Sequence, residues 1–211
     1  MGCDIHVYTE MKLDDGTWWC CDHFTPNPDY KPSNDGTDDG KFEGAWRVVP
    51  IYDDRHYELF ATLAGVRNYN DIKPIDEARG LPSDVSKHVR EEADMWGDDG
   101  HSFSWFLASE LFAYKAKKPF YKVSGYVSPT DAFYLDELGK IPEEWCRYTS
   151  DESWVRREWL VPYSVLDNLI KAIKERMAEV YWIWDFLDDG EREKRILDKA
   201  NQFRIVFWFD N

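Results

Sequence analysis

Asp4, His6, Tyr8 and Glu10 fall at every second position near the start of this 211-residue chain, with Cys3, Ile5, Val7 and Thr9 between them. In an extended strand that period sends alternate side chains to opposite faces, so one face is apolar and the other carries a carboxylate, an imidazole and a second carboxylate. Asp4 and His6, in Asp-x-His spacing, are ordinary ligands for a divalent metal ion and serve metal-free acid–base chemistry equally well. The same spacing also describes a solvated edge strand with one satisfied histidine.

A second group is His101-Ser102-Phe103-Ser104-Trp105. Read as the entrance to a helix over 104–115, it sets His101, Ser102 and Ser104 beside a weakly positive helix end where a small anion could dock. The simpler alternative is that Ser102 or Ser104 caps that helix and Trp105 fills the core. Arg55, Arg67 and Arg79 lie in or next to loops. Guanidinium forks bind phosphate bidentately, and they pair as readily with neighbouring carboxylates. Asp210-Asn211 either frays or joins Asp4, if the first and last strands pair.

These groups need elements to position them. The alternation over 3–12, the turn Asp14-Asp15-Gly16 and a returning strand within 17–24 predict an opening meander. Residues 25–44 collect Pro26, Pro28, Pro32, Gly36, Gly40 and Gly44 with several Asp and Asn, which predicts a long mobile surface loop at about 25–45. Within it, Gly36-Thr37-Asp38-Asp39-Gly40-Lys41 is one residue short of a phosphate loop, and its aspartates would repel phosphate. A short helix is predicted over 57–64, ended by Gly65, and another over 83–94 capped by Ser83. Leu166, Leu169, Ile170, Ile173, Met177, Val180, Tyr181 and Trp184 recur at three and four, predicting a helix over 164–186 capped by Ser164. A charged helix over 191–201 and an aromatic, β-branched strand over 203–209 complete the reading. With neither repeat nor linker, the fold class is α+β in one domain over 1–211: a mixed or antiparallel sheet including the N- and C-terminal strands, packed with several helices.

The hydrophobic fraction is 43% and the aromatic fraction 17%, enough for a substantial core. The formal charge of −15 repels polyphosphate chains and anionic lipid, excluding duplex nucleic acid and membrane surfaces as partners. No apolar run approaches the roughly 18 residues that cross a bilayer, and four cysteines in a chain of this length suit a reducing cytoplasm. The chain has no H-E-x-x-H, G-x-x-x-x-G-K-[ST], G-x-G-x-x-G or G-x-S-x-G motif. The Asn-His and Gly-His-x-His pairs that accompany an Asp-x-His strand in metallophosphoesterases are also missing.

Met1-Gly2-Cys3-Asp4-Ile5-His6 with Glu10, the run Leu59-Phe60-Ala61-Thr62-Leu63-Ala64-Gly65-Val66-Arg67-Asn68, Arg79-Gly80-Leu81-Pro82, His101-Ser102-Phe103-Ser104-Trp105 and the ending Phe207-Trp208-Phe209-Asp210-Asn211 are together distinctive. In this combination the chain resembles a family of hypothetical proteins of bacteriophage genomes. The resemblance implies expression in a bacterial host cytoplasm and an accessory role such as countering host defence.

Two functions follow as expectations. The first is a phosphodiesterase-like hydrolase acting on a small nucleotide-derived immune signal. Asp4, His6, Glu10 and His101 would be its catalytic groups, Asp4 and His6 the ligands of any divalent metal cofactor, and Arg67, Arg79, Ser102, Ser104 and Trp105 its ligand-binding residues. The second is a non-catalytic sponge that sequesters the same signal, with an acidic protein-binding decoy as a further alternative. A homo-oligomer is compatible with either. All the small-ligand readings require the N-terminal strand and His101 to share one enclosed recess.

Overall fold

The computed structural model describes residues 2–28, 45–117, 120–162, 164–183 and 186–210. Most of the loop expected at 25–45, including Gly36 to Lys41, lies outside the described residues, as do Trp184 and Asn211.

The chain is α+β, with antiparallel sheets and strands from both termini in the largest of them. That sheet has the order β2-β1-β9-β5, built from β1 (Ile5–Lys12), β2 (Trp18–Cys20), β5 (His101–Leu107) and β9 (Phe203–Phe209). β1 runs antiparallel to β9 over its whole apolar length, from Ile5 opposite Phe209 to Met11 opposite Phe203. Every residue of β9 is buried, because layers cover both sides of this strand. One side packs on α1 (Tyr57–Ala64), α3 (Ala108–Lys117) and α5 (Asp167–Val180), through Ile5, Val7, Phe60, Leu111, Ile173, Phe207 and Phe209. The other side, carrying Tyr8, Val206 and Trp208, packs under α2 (Lys87–Trp96) and a short ribbon of β3 (Phe24–Pro26) and β4 (Trp46–Val48).

Helix α1 forms where the sequence predicts it. His56 accepts the Leu59 amide at its start, and Gly65, at φ 71°, turns left-handed to close its end. Helix α6 (Asp189–Lys199) is capped by Asp188 and leads through a short 3-10 turn into β9.

Three expectations are corrected. Ser83 does not cap the second helix, which begins at Lys87 after Ser86. The long helix starts at Asp167 instead of Ser164 and ends at Val180. Residues 101–107 form β5 instead of a helix entrance, so neither Ser102 nor Ser104 caps anything. The segment satisfies both periods, and pairing with β9 decides for the strand: Trp105 lies opposite Val206 and Phe106 opposite Ile205. At the two ends of the predicted loop, Phe24 to Pro26 pair with Trp46 to Val48 as a two-stranded ribbon.

A second sheet, unforeseen in the sequence, has the order β7-β6-β8, with β6 (Phe120–Val127), β7 (Trp145–Cys146) and β8 (Val155–Pro162). Helix α4 (Pro129–Leu138) covers one face, where Val123, Val127, Ala132 and Trp159 form a separate small core. Gly125 admits β7 closely: a Cβ there would stand 2.6 Å from the Trp145 ring. The opposite face is open. Among the described residues no helix is long and apolar enough to cross a membrane.

Candidate functional site

Strand β1 is extended as expected, yet its polar groups are spent on internal partners. Glu10 is fully buried directly opposite Arg204. Its Oε2 accepts from Arg204 Nε at 2.7 Å and its Oε1 from the Ser86 amide at 2.6 Å. Arg204 also donates to Asp84 Oδ1 at 2.8 Å and lies 4.0 Å from the Trp18 ring centroid. Burial works against the Asp84 carboxylate, but the Arg204 guanidinium prevails and holds its pKa below the ordinary value. This chain of charge pairs fastens the loop before α2 to the sheet, and both Glu10 oxygens are occupied.

Asp4 is gripped bidentately by Arg55, whose Nε and Nη2 donate at 2.7 Å each, and hydrogen bonding from this fork lowers the Asp4 pKa. Asp210 joins the two termini as the sequence allows: its Oδ1 accepts the Asp4 amide at 2.9 Å and its Oδ2 lies 3.2 Å from His6 Nε2. The His6 ring lies against Trp96, with centroids 4.2 Å apart.

His101 does not share this environment. It pairs with Phe209 and its ring stacks on that residue at 6.0 Å, whereas His6 pairs with Trp208. Adjacent residues of β9 point to opposite faces, so the two histidines lie on opposite sides of the sheet. Asp4, His6, Glu10 and His101 therefore form no common recess. Among the described residues no group of three or more His, Cys, Asp or Glu side chains is placed to hold a metal ion. Asp4 and His6 point their polar atoms at different partners, Arg55 and Asp210.

The expected ligand-binding residues are dispersed as well. Arg79 is fixed by both oxygens of Glu110, at 2.8 and 3.0 Å, and by Asp76 at 3.0 Å, and its guanidinium lies over Trp105 and Phe106. Ser104 is buried and accepts the Arg79 amide at 3.1 Å. Ser102 sits at φ 52° where the β5 register shifts, and its Oγ lies 3.0 Å from His101 Nδ1. Arg67, at φ 49°, donates to the Gly2 carbonyl and the Cys3 thiol. These residues bind the chain to itself.

A sizeable concavity lies elsewhere, between the open face of the small sheet and the loop that follows α1. It encloses about 810 Å³, within the size range of small-molecule sites. Alternation builds its floor: Phe120, Lys122, Ser124 and Tyr126 of β6 face the cleft, opposite Pro162, Leu160, Glu158 and Arg156 of β8. Its rim comes from Tyr69 to Lys73, Tyr114, Arg147 and Tyr148. The rim loop is braced, since the Asn68 side chain both donates to and accepts from the Ile72 backbone, at 2.7 and 2.9 Å. Asp71, at φ 51°, adds a left-handed turn within that brace.

The lining carries four cations, Lys73, Lys122, Arg147 and Arg156, against two carboxylates, Asp71 and Glu158. This excess of positive charge stands out in a chain of net charge −15. Glu158 pairs with Lys122 across the strands. Arg147 lies 4.8 Å from the Tyr69 ring centroid and donates to Asn70 Oδ1 at 2.9 Å, which fixes its plane. Arg156 donates to Ser124 Oγ at 3.2 Å through two nitrogens, with no carboxylate against it among the described residues. Cations beside exposed rings can hold an anion and stack a planar group. The sequence signal for this site was the alternation over 122–127, from which no element is predicted above. Comparison with family models, curated proteins and solved structures finds no match to this chain.

Proposed function

We propose that the chain is a binding protein for a small anionic, ring-bearing ligand of the nucleotide class, held without turnover in the cleft between the small sheet and the loop after α1. One observation carries the proposal: four cations and five aromatic residues converge on a single cleft of an otherwise acidic chain. Phosphate oxygens would meet Arg147 and Arg156, and a base would stack on Tyr69, Tyr126 or Tyr148. Sequestration fits better than hydrolysis because the carboxylates of Asp4 and Glu10 are already neutralised by arginines. The likeness to phage proteins suggests the setting, removal of a nucleotide signal from a host cell.

Calorimetric titration with a panel of mononucleotides and cyclic nucleotides, with and without Mg²⁺ or Mn²⁺, tests this reading. The expected result is saturable binding, loss of affinity in Arg147→Ala and Arg156→Ala, no change in His6→Ala, and intact ligand recovered after heat denaturation. Absence of binding across the panel overturns the proposal. Recovery of cleaved ligand replaces it with the hydrolase.

A further inference from the structure

Resting on the cleft being a nucleotide site, we infer that its ligand is a short single-stranded oligonucleotide that spans the floor from end to end. The floor is ordered in rows. Phe120 stands at one end opposite Pro162, Lys122 and then Ser124 follow along β6, and Tyr126 stands at the other end opposite Arg156. Arg156 leans back from its row to bond Ser124, so Arg156, and Lys122 sharing its charge with Glu158, lie between two rings. Six strand residues at roughly 3.3 Å each put those rings about 20 Å apart, too far for one mononucleotide to touch both.

Ring, cation, cation, ring suits a single strand that stacks one base on each end ring and lays the phosphates of the intervening backbone along the cations. Unstacked bases find a face on each ring whatever their identity, and the phosphates between them meet the positive charge. Phe120 is 54% exposed, which leaves its ring available for stacking. The far end is the richer one, since Tyr69 and Arg147 stand on the rim beside Tyr126 and Arg156. A mononucleotide would settle there, and only a longer strand would gain Phe120. A duplex hides its base faces and carries twice the charge into the field of the whole chain, so it is excluded.

The test uses the full chain and fluorescence anisotropy at about 50 mM salt, competing labelled hexathymidylate with thymidylates of one, two, four and six nucleotides, the uridylate series and a 12-base-pair duplex. Stacking on one more ring corresponds to roughly a tenfold gain in affinity, so the hexanucleotide should bind at least tenfold tighter than the mononucleotide, with the duplex weaker than either. Phe120→Ala should remove most of that length gain and leave mononucleotide affinity within about threefold; Arg147→Ala should weaken every length. A difference between thymidylates and uridylates means that the floor also reads the sugar or the thymine methyl, and equality means that it reads only base faces and phosphates; the inference holds in each case. If the mononucleotide binds in an Arg147-dependent way but length adds nothing, or the gain survives Phe120→Ala, the inference is overturned while the nucleotide reading stands. If no length binds, both fall.

Discussion

Strand β1 and strand β6 carry the same pattern, polar or charged side chains alternating with apolar ones, and the fold treats them in opposite ways. On β1, Tyr8 and Glu10 lie under α2 and the β3–β4 ribbon and are sealed from water, so a charge there survives only by finding a partner. On β6, Lys122, Ser124 and Tyr126 look into an open cleft where water solvates whatever the protein leaves unpaired. Side chains that read as catalytic can thus serve as internal fastenings, while the available chemistry sits on a strand with no catalytic signature. The second layer makes the difference.

The sharpest way to break this comparison is to remove one half of the buried fastening. Arg204→Ala strands the Glu10 carboxylate in the core and should cost about 3–5 kcal/mol, read as a fall in the urea midpoint. Replacing both partners by methionine should recover most of that loss, since no buried charge then remains. A loss below about 1 kcal/mol for the single variant would show that Glu10 is not confined as described.

The next effect concerns pH. Asp22 is buried with its carboxylate accepting from the Thr9 amide at 2.6 Å and from the Thr9 hydroxyl, and Arg176 Nε lies 3.9 Å away. Burial outweighs these partners and pushes its pKa up to about 7 from 3.8. The folded chain therefore holds a proton that the unfolded chain releases at lower pH. Its contribution to stability is complete below about pH 4 and is lost as pH rises to about 7, a change of about 2–4 kcal/mol. Asp22→Asn should flatten the urea midpoint across that window, and an unchanged slope would rule out Asp22 as its source.

On the open face the changes should fall on binding and spare folding. Arg147→Ala should lower nucleotide affinity by about tenfold, equal to about 1.4 kcal/mol, while the melting temperature stays within a degree or two. A large drop in melting temperature would place Arg147 among the fastenings. Smallest of all is Arg55→Ala. The Asp4–Arg55 pair is bidentate but about half exposed on Arg55, so its removal should lower the urea midpoint only slightly, and less at high salt. Because the pairing lowers the Asp4 pKa, even that contribution should vanish as pH falls through the carboxylate range.

Much of the fold was legible before any coordinates. The strand over 203–209 and the helix over 57–64 lie where the sequence places them, and both terminal strands belong to one sheet as expected. Residues 101–107 misled because Trp105, Ala108, Leu111 and Phe112 keep helical spacing while Phe103 and Trp105 also keep strand spacing. A partner strand far along the chain, from Arg204 to Phe209, resolves the ambiguity. The expected gathering of Asp4, His6, Glu10 and His101 in one recess does not form, for a related reason. Alternation correctly put Asp4, His6 and Glu10 on one side of a strand, but it carries no information about Arg204, Arg55 or Asp210, which occupy them.

By itself the sequence determined part of the local geometry: that both terminal segments extend, that 57–64 coils, which side chains of an extended segment share a face, and how acidic the whole must be. These depend on neighbours one to four residues apart, where backbone sterics and side-chain period act directly. Only the tertiary structure decided which polar face is covered and which stays open. That outcome depends on contacts such as Glu10 with the Ser86 amide, 76 residues along the chain, and on where a second sheet comes to rest. Whether a charge lies in water or in protein then settles whether it fastens the fold or remains available to a ligand.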